Sequence, residues 1–147
     1  MRHIIPISGK DSLATALILF AREPNTPFEL LFCDVGSELP ETYEWLDRVE
    51  HRLHRLIRRV GKSLRQIIYQ EGLLPSPKMR FCTRKSKIEP MEKFIGSDQA
   101  TVYFGMRVDE DRVGYVSSRG NIIPRYPPVE MGINLEMVYA IVDKVGL

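Results

Sequence analysis

Cysteine is scarce in this sequence. Only Cys33 and Cys82 are present among 147 residues, and they lie far apart in the chain. Without a Cys-x-x-Cys pair the chain has neither the usual ligand spacing of a structural metal site nor a disulfide framework. We therefore expect two free thiols and no cysteine-bound metal.

Long apolar runs are also missing. The longest, Leu13–Ala21, is interrupted by Thr15 and is well short of the roughly 20 residues that a membrane helix needs. Residues Met1–Lys10 lack the apolar stretch and the small-residue cleavage site of a secretory signal. These absences lead us to expect a cytoplasmic protein that does not associate with membranes.

No excess of charge of one sign is present either. Charged residues make up 27% of the chain and the net charge is +2, which predicts neither disorder nor a general polyanion binder. The overall charge thus gives no support to nucleic acid as a partner, and any anion site must be local. With 44% hydrophobic residues, a chain of this length suffices for one compact domain spanning residues 1–147.

The apolar residues that are present predict strands alternating with helices. Helical spacing indicates segments from Asp11 to Ala21, from Glu41, around Leu64–Ile68, over Thr83–Phe94 with a bend at Pro90, and over Asn134–Val145. Apolar runs predict strands at Arg2–Ile7, Phe28–Val35, Leu56–Val60 and Ala100–Phe104, and a hairpin is a candidate around Arg119–Asn121. The alternation favours a doubly wound α/β fold, a mainly parallel sheet with helices on both faces.

Three polar segments directly follow predicted strands. They are Ser8–Ser12, Asp34–Glu38 and Gly105–Arg112. Ligands of open parallel sheets bind outside the carboxyl ends of the strands. A fold that places the three segments at one edge of the sheet therefore predicts a single composite site.

The segment Ser8–Ser12, called here the phosphate loop, has the chemistry of an anion site. Gly9 lets backbone approach a ligand, the serines supply hydroxyls, and the following helix start supplies N–H groups. It is not a Walker A loop, because Lys10 is followed by Asp11 and Ile4 stands at the earlier glycine position. The alternative is an ordinary helix start capped by Ser8 or Asp11.

Four ordered motifs carry a family resemblance. The phosphate loop resembles the SGGKDS signature of ATP-pyrophosphatases, although Ile7-Ser8-Gly9 stands where that family usually has Ser-Gly-Gly. The other motifs are similar to the phosphoadenosine-phosphosulfate (PAPS) reductase branch of that superfamily, whose fold is the adenine nucleotide α-hydrolase type. They are Glu38-Leu39-Pro40-Glu41-Thr42, then Phe81-Cys82-Thr83-Arg84 with Lys87-Ile88-Glu89-Pro90, and Gly105-Met106-Arg107 with Asp109-Glu110 and Arg112.

This resemblance implies an adenine nucleotide ligand, ATP or a relative, with Mg²⁺, and cleavage of ATP at the α-phosphate with release of pyrophosphate. Lys10 and Arg107 are the implied catalytic residues, although Arg107 could instead form a surface ion pair. For Asp34 a turn-capping role is the alternative to the adenine pocket. The implied nucleotide-binding residues are Ser8, Gly9, Lys10, Asp11, Ser12, Cys33, Asp34 and Gly105.

A basic segment is the candidate site for a second substrate. Five cations lie within ten residues, Lys78, Arg80, Arg84, Lys85 and Lys87. Such a run is often only a solvated face, but the family motifs favour anion contacts at Arg84, Lys87 and Arg112. Cys82 lies inside this segment, where basic neighbours would lower the pKa of an exposed thiol.

The resemblance also limits the chemistry. The cysteine pairs of iron–sulfur members are missing, so we expect no iron–sulfur cluster. A C-terminal Glu-Cys-Gly-Leu-His segment is also missing, so we do not expect true PAPS reductase activity; relatives continue past the equivalent of Leu147, which predicts a compact or truncated version. Two alternatives stay open: a sulfonucleotide-binding or sulfur-transfer component with a protein partner, as in DNA phosphorothioation systems, and a catalytically silent nucleotide-binding protein. The three histidines, His3, His51 and His54, receive no functional role, and no oligomeric state is indicated.

Overall fold

The structure, a computed structural model, describes residues 1–34, 39–61, 69, 87–110 and 119–147. Within these ranges strands and helices alternate along the chain. The strands are β1 (Arg2–Pro6), β2 (Phe28–Cys33), β3 (Ile57–Val60), β4 (Ala100–Tyr103) and β5 (Ile122–Arg125). The helices are α1 (Lys10–Arg22), α2 (Pro40–Leu53), α3 (Glu89–Ile95), α4 (Pro127–Glu130) and α5 (Leu135–Asp143).

The five strands form one sheet in the order β3-β2-β1-β4-β5, and every neighbouring pair is parallel. The chain moves outward from β1 to β3 and then returns to the other side of β1 to add β4 and β5. The direction of winding therefore changes between β1 and β4. At such a switch point the connections leave in opposite directions and open a crevice for a ligand.

Alternate residues of each strand face opposite layers of helices. Ile5 of β1 belongs to the larger core cluster, which it shares with side chains of three helices, Leu13 of α1, Leu46 of α2 and Val138 of α5. Ile4 belongs to the smaller cluster on the other face, with Met91 and Ile95 of α3. Each such buried aliphatic side chain contributes about 1.5–3 kcal/mol. The doubly wound α/β fold predicted from the alternating pattern is confirmed.

The candidate hairpin around Arg119–Asn121 is wrong, because these residues lead into a parallel strand. β5 pairs with β4 in parallel, and Pro124 lies opposite Val102. Proline is tolerated here because β5 is the edge strand of the described sheet. The Asn121 amide donates to the carbonyls of Gly96 and Asp98, at 3.0 and 2.8 Å, and so fixes the start of the strand. The proline masked this strand in the sequence.

Pro90 does not interrupt a helix. It lies in the first turn of α3, which begins at Glu89, and there the missing N–H costs no intrahelical hydrogen bond. The earlier part of the predicted helix, residues 83–86, lies outside the described residues, as does the helix predicted around Leu64–Ile68. In the ranges that the structure describes, no helix has the length and apolarity needed to cross a membrane.

Candidate functional site

The predicted segments meet at the carboxyl edge of the sheet. The phosphate loop follows β1, and Gly105 and Arg107 follow β4, the parallel neighbour of β1. Cys33 and Asp34 end β2 on the other side of β1. Of the second and third segments, residues 35–38 and 111–112 lie outside the described ranges. What is described forms one continuous rim along three adjacent strands, as the composite-site prediction requires.

The phosphate loop is held closed by one buried hydroxyl. Ser12 Oγ accepts hydrogen bonds from the backbone N–H groups of Ser8 and Gly9, at 2.9 and 3.2 Å, and donates to the Gly9 carbonyl at 2.9 Å. Ser12 is 5% exposed, so its hydroxyl serves the loop itself. The side chain therefore shapes the backbone that a ligand would meet.

The start of α1 lacks the cap that the alternative interpretation requires. The N-cap residue is Gly9, and no described side chain accepts a capping hydrogen bond there. The first backbone N–H groups of a helix have no intrahelical acceptor, and they carry the positive end of the helix dipole. In α1 these groups belong to Lys10, Asp11 and Ser12. Capping by Ser8 or Asp11 is not observed.

Two glycines at this site have different reasons to be glycine. Gly9 is extended, with φ −175°, and a Cβ added there would meet no atom within 4 Å. Neither backbone strain nor packing explains its missing side chain, but an approaching ligand would. A Cβ on Gly105 would lie 2.8 Å from both Cα and N of Ser12. Gly105 thus lets the segment after β4 pack against the first turn of α1.

Asp34 is held from two neighbouring elements. The Tyr43 hydroxyl of α2 donates to Asp34 Oδ1 at 2.7 Å, and the Asp34 N–H donates to the Val60 carbonyl at 2.6 Å. Gly61 has φ +144°, and a Cβ there would overlap the Asp34 carbonyl oxygen. Sequence reasoning missed Tyr43 and Gly61; the only signal for Gly61 was a glycine directly after a strand. The turn-capping alternative for Asp34 involves residues 36 and 37, outside the described ranges.

Cys33 joins the last described residue of the basic segment to the rim. Its Sγ donates to the Lys87 carbonyl at 3.3 Å. Burial raises the pKa of the Cys33 thiol to about 11, although Lys87 opposes the shift, so the group is neutral at physiological pH. Lys87 itself is exposed. The other predicted residues of this region, Lys78, Arg80, Cys82, Arg84, Lys85 and Arg112, lie outside the described part of the chain.

Arg107 is surrounded by carboxylates. Its Nη1 donates to Asp11 Oδ2 at 2.7 Å and its Nε donates to Asp109 Oδ1 at 3.0 Å. Its backbone N–H donates to Glu110 Oε2 at 2.7 Å. The hydrogen bond to Asp11 is the largest of several effects that raise the pKa of Arg107, so the guanidinium remains charged. The ion-pair interpretation that the sequence left open for Arg107 is thus what the structure contains.

The carboxylate of Asp109 is also fixed. Partial desolvation opposes its ionisation, but hydrogen bonds from Arg107 and from the backbone N–H groups of Asp109 and Leu135 hold the pKa of Asp109 below its ordinary value. Leu135 is the first residue of α5. The cluster therefore joins the starts of two helices, α1 through Asp11 and α5 through Leu135.

Lys10 is the exposed cation of the phosphate loop. Its Nζ lies 5.2 Å from the centroid of the Tyr139 ring of α5, an arrangement typical of a weak cation–π contact. Tyr139 is 46% exposed. The contact holds the ammonium beside the loop without burying it.

The histidines and acidic residues show no metal-binding arrangement. Among the residues that the structure describes, no group of three or more His, Cys, Asp or Glu side chains could hold a metal ion. His3 Nδ1 lies 2.9 Å from the Tyr103 hydroxyl and is part of the aromatic packing beside Phe28. His51 and His54 are exposed, with ring centroids 6.3 Å apart.

Comparison with known proteins agrees with this fold. The structure is similar to the crystal structure of a PAPS reductase from Candida auris in a phosphate complex, with a TM-score of 0.69 over 98% of this chain and 72% of that chain, at 19% identity. An uncharacterised protein of Methanocaldococcus jannaschii is 33% identical over 103 residues, 67% of this chain and 21% of that protein. The matched region therefore spans about a fifth of that relative's length. The sequence matches the phosphoadenosine phosphosulfate reductase domain family over residues 2–118, and the chain belongs to that family.

Proposed function

We propose that this chain binds an adenine nucleotide at the carboxyl edge of the sheet and cleaves ATP at the α-phosphate, transferring AMP to an acceptor with release of pyrophosphate. The observation that carries the proposal is the phosphate loop. It lies beside the switch point between β1 and β4, its helix has no side-chain cap, and Gly9 leaves open space in front of the backbone.

The loop fits the terminal phosphates of a nucleotide. Backbone N–H groups at a helix start bind anions through hydrogen bonds and through the helix dipole. Hydrogen bonds to a charged group contribute about 1.5–3 kcal/mol each, so a few of them give useful affinity. The phosphate complex of the structurally similar PAPS reductase supports an anion site in this fold.

The end of β2 fits the adenosine half of the ligand. Cys33 and Asp34 lie beside the phosphate loop on the adjacent strand, and Tyr43 and Val60 hold Asp34 in place. Because burial keeps the Cys33 thiol neutral, this part of the rim offers uncharged backbone to a base. Charge is concentrated on the other side, around Lys10 and Arg107.

The proposed reaction needs no side-chain nucleophile. An acceptor oxygen attacks the α-phosphorus, the bond from that phosphorus to the oxygen bridging the β-phosphate breaks, and the acceptor's proton passes to solvent. Lys10 and Arg107 stabilise the charge that develops on the leaving pyrophosphate. Lys87 lies where it could attract an anionic acceptor, with Arg84 and Arg112 as further candidates.

Magnesium fits this scheme as part of the substrate. Mg²⁺ in such sites is held by nucleotide phosphates and one or two carboxylates, and it neutralises phosphate charge. A closed set of protein ligands is not required, which is compatible with the lack of a three-residue metal cluster in the described ranges. Asp11 is the carboxylate closest in sequence to the loop amides, but it is engaged by Arg107.

The test is a product assay with ATP labelled at the α-phosphate, incubated with Mg²⁺ and candidate acceptors. We expect labelled AMP or an AMP ester together with pyrophosphate, and strong loss of product in Lys10→Met. Lys93→Met is the matched control, because Lys93 is an exposed lysine on α3. Formation of ADP and phosphate would contradict cleavage at the α-phosphate. Binding without any product would favour a catalytically silent nucleotide-binding protein.

A second candidate is a sulfonucleotide-binding or sulfur-transfer component that works with a protein partner. The observation in its favour is membership of a family described by a sulfonucleotide reductase. Competition separates the two candidates: PAPS that displaces ATP at much lower concentration, without AMP release from ATP, would favour the second. Equal or weaker competition by PAPS would favour ATP as the substrate.

A further inference from the structure

We infer that Asp11 is a positioning residue that acts on the nucleotide through Arg107, and that it is neither a phosphate ligand nor a metal ligand itself. This inference rests on the proposed nucleotide site. Asp11 is the second residue of α1, adjacent to the N–H groups proposed to bind phosphate, so its negative charge there needs an explanation.

The contact between the two residues is short and shielded. Asp11 Oδ2 and Arg107 Nη1 are 2.7 Å apart, and the two side chains are only 30% and 20% exposed. The pair joins the phosphate loop to the segment after β4, which is 96 residues away in the chain. It therefore spans the switch point, where the ligand is expected.

Two anchors fix the orientation of the guanidinium. Asp11 engages Nη1 and Asp109 engages Nε, and Asp109 is itself held by the Leu135 N–H. Because a guanidinium is planar and rigid, anchoring two of its nitrogens also fixes the third. The remaining nitrogen, Nη2, has its nearest described carboxylate, Glu110, at 4.0 Å, which is too long for a hydrogen bond. Nη2 can therefore donate to a ligand phosphate.

The pair also corrects the local charge. An unpaired carboxylate beside the loop would repel an anionic ligand, and the repulsion between such close charges is substantial even near a protein surface. Ion pairing with Arg107 cancels that charge and keeps the carboxylate away from the loop amides. The consequence is specific: Asp11 should favour nucleotide binding while Arg107 is present and oppose it when Arg107 is removed.

A double-mutant cycle on ATP affinity tests this inference, with Asp11→Ala, Arg107→Met and the double variant measured by titration calorimetry in the presence of Mg²⁺. We expect Asp11→Ala to weaken ATP binding about tenfold in the wild-type background, the loss of one well-oriented charged contact. In the Arg107→Met background the same change should leave affinity unchanged or improve it. The control is Asp98→Ala, which removes an ion pair with Arg2 at the opposite edge of the sheet and should leave ATP affinity unchanged.

Three other results would overturn the inference. Additive losses in the cycle would mean that Asp11 contacts the nucleotide or its Mg²⁺ directly. A lower unfolding midpoint with unchanged ATP affinity would mean that the pair only stabilises the fold. A wild type that binds no ATP would reject the proposed function as a whole, whereas ATP binding with an additive cycle would reject only the role assigned to Asp11.

Discussion

Replacing Gly9 by valine separates a phosphate site from an ordinary helix start. Gly9 is extended, and the space that a Cβ would occupy holds no atom within 4 Å. The folded structure should therefore accept a side chain there without strain. The remaining cost is the poorer N-cap preference of valine, at most about 1 kcal/mol, or a fall of about 2–4 °C in melting temperature for a domain of this size.

The expected effect on binding is much larger. The valine side chain would fill the open space in front of the loop and keep phosphate away from several N–H groups. Each lost charge-assisted hydrogen bond costs about 1.5–3 kcal/mol. Loss of one gives roughly a ten- to hundredfold weaker affinity, and blocking the whole loop should exceed a hundredfold.

Affinity and stability should be measured on the same samples, by calorimetric titration with ATP and by urea unfolding. Gly120→Val is the matched control, because Gly120 is also exposed and a Cβ there also meets no atom within 4 Å, yet it precedes β5 at the opposite edge of the sheet. We expect wild-type affinity in this control. Unchanged ATP affinity in folded Gly9→Val protein would refute the reasoning and restore the simple helix start.

Three further predictions concern the ligand, the loop and the thiol. ATP at a hundred times its Kd should stabilise the wild type by about 2.7 kcal/mol, or about 5–10 °C in melting temperature, and GTP should do less; equal shifts with both nucleotides would contradict an adenine site. Ser12→Ala should destabilise the fold by about 1–3 kcal/mol, because the Ser8 and Gly9 N–H groups lose their acceptor, and should weaken ATP binding, whereas exposed Ser97→Ala should do neither; an unfolding curve unchanged by Ser12→Ala would argue against this role. In a Cys82→Ser background, Cys33 should react with iodoacetamide with a half-maximal rate near pH 11, so a midpoint at or below pH 9 would show that the thiol is not buried as described.

The fold was predictable from the sequence because its signals are local. The apolar runs of β1 to β4 and the helical spacing of α1 and α2 each lie within one stretch of chain. β5 was missed because Pro124 is unfavourable in strands, and only its place at the edge of the described sheet makes it acceptable. That place is a property of the whole sheet, which no local pattern contains.

The site was predictable as a set of segments but not as a set of contacts. Strand ends and glycines identified the phosphate loop and the segment after β4. The pairing of Asp11 with Arg107 across 96 residues has no local signal, and neither does the inward use of the Ser12 hydroxyl. The close approach of Gly61 to Asp34 likewise depends on which strands are neighbours.

The most direct measurement of the central claim is a titration of isotopically labelled protein with ATP and Mg²⁺, followed by NMR through the backbone amide signals. If the terminal phosphates bind the phosphate loop, the amides of Gly9, Lys10 and Asp11 should shift most. The shifts should saturate with the same Kd as calorimetry, and the amide of Gly120 should not move. Saturable ATP binding that leaves the phosphate-loop amides unshifted would contradict the account.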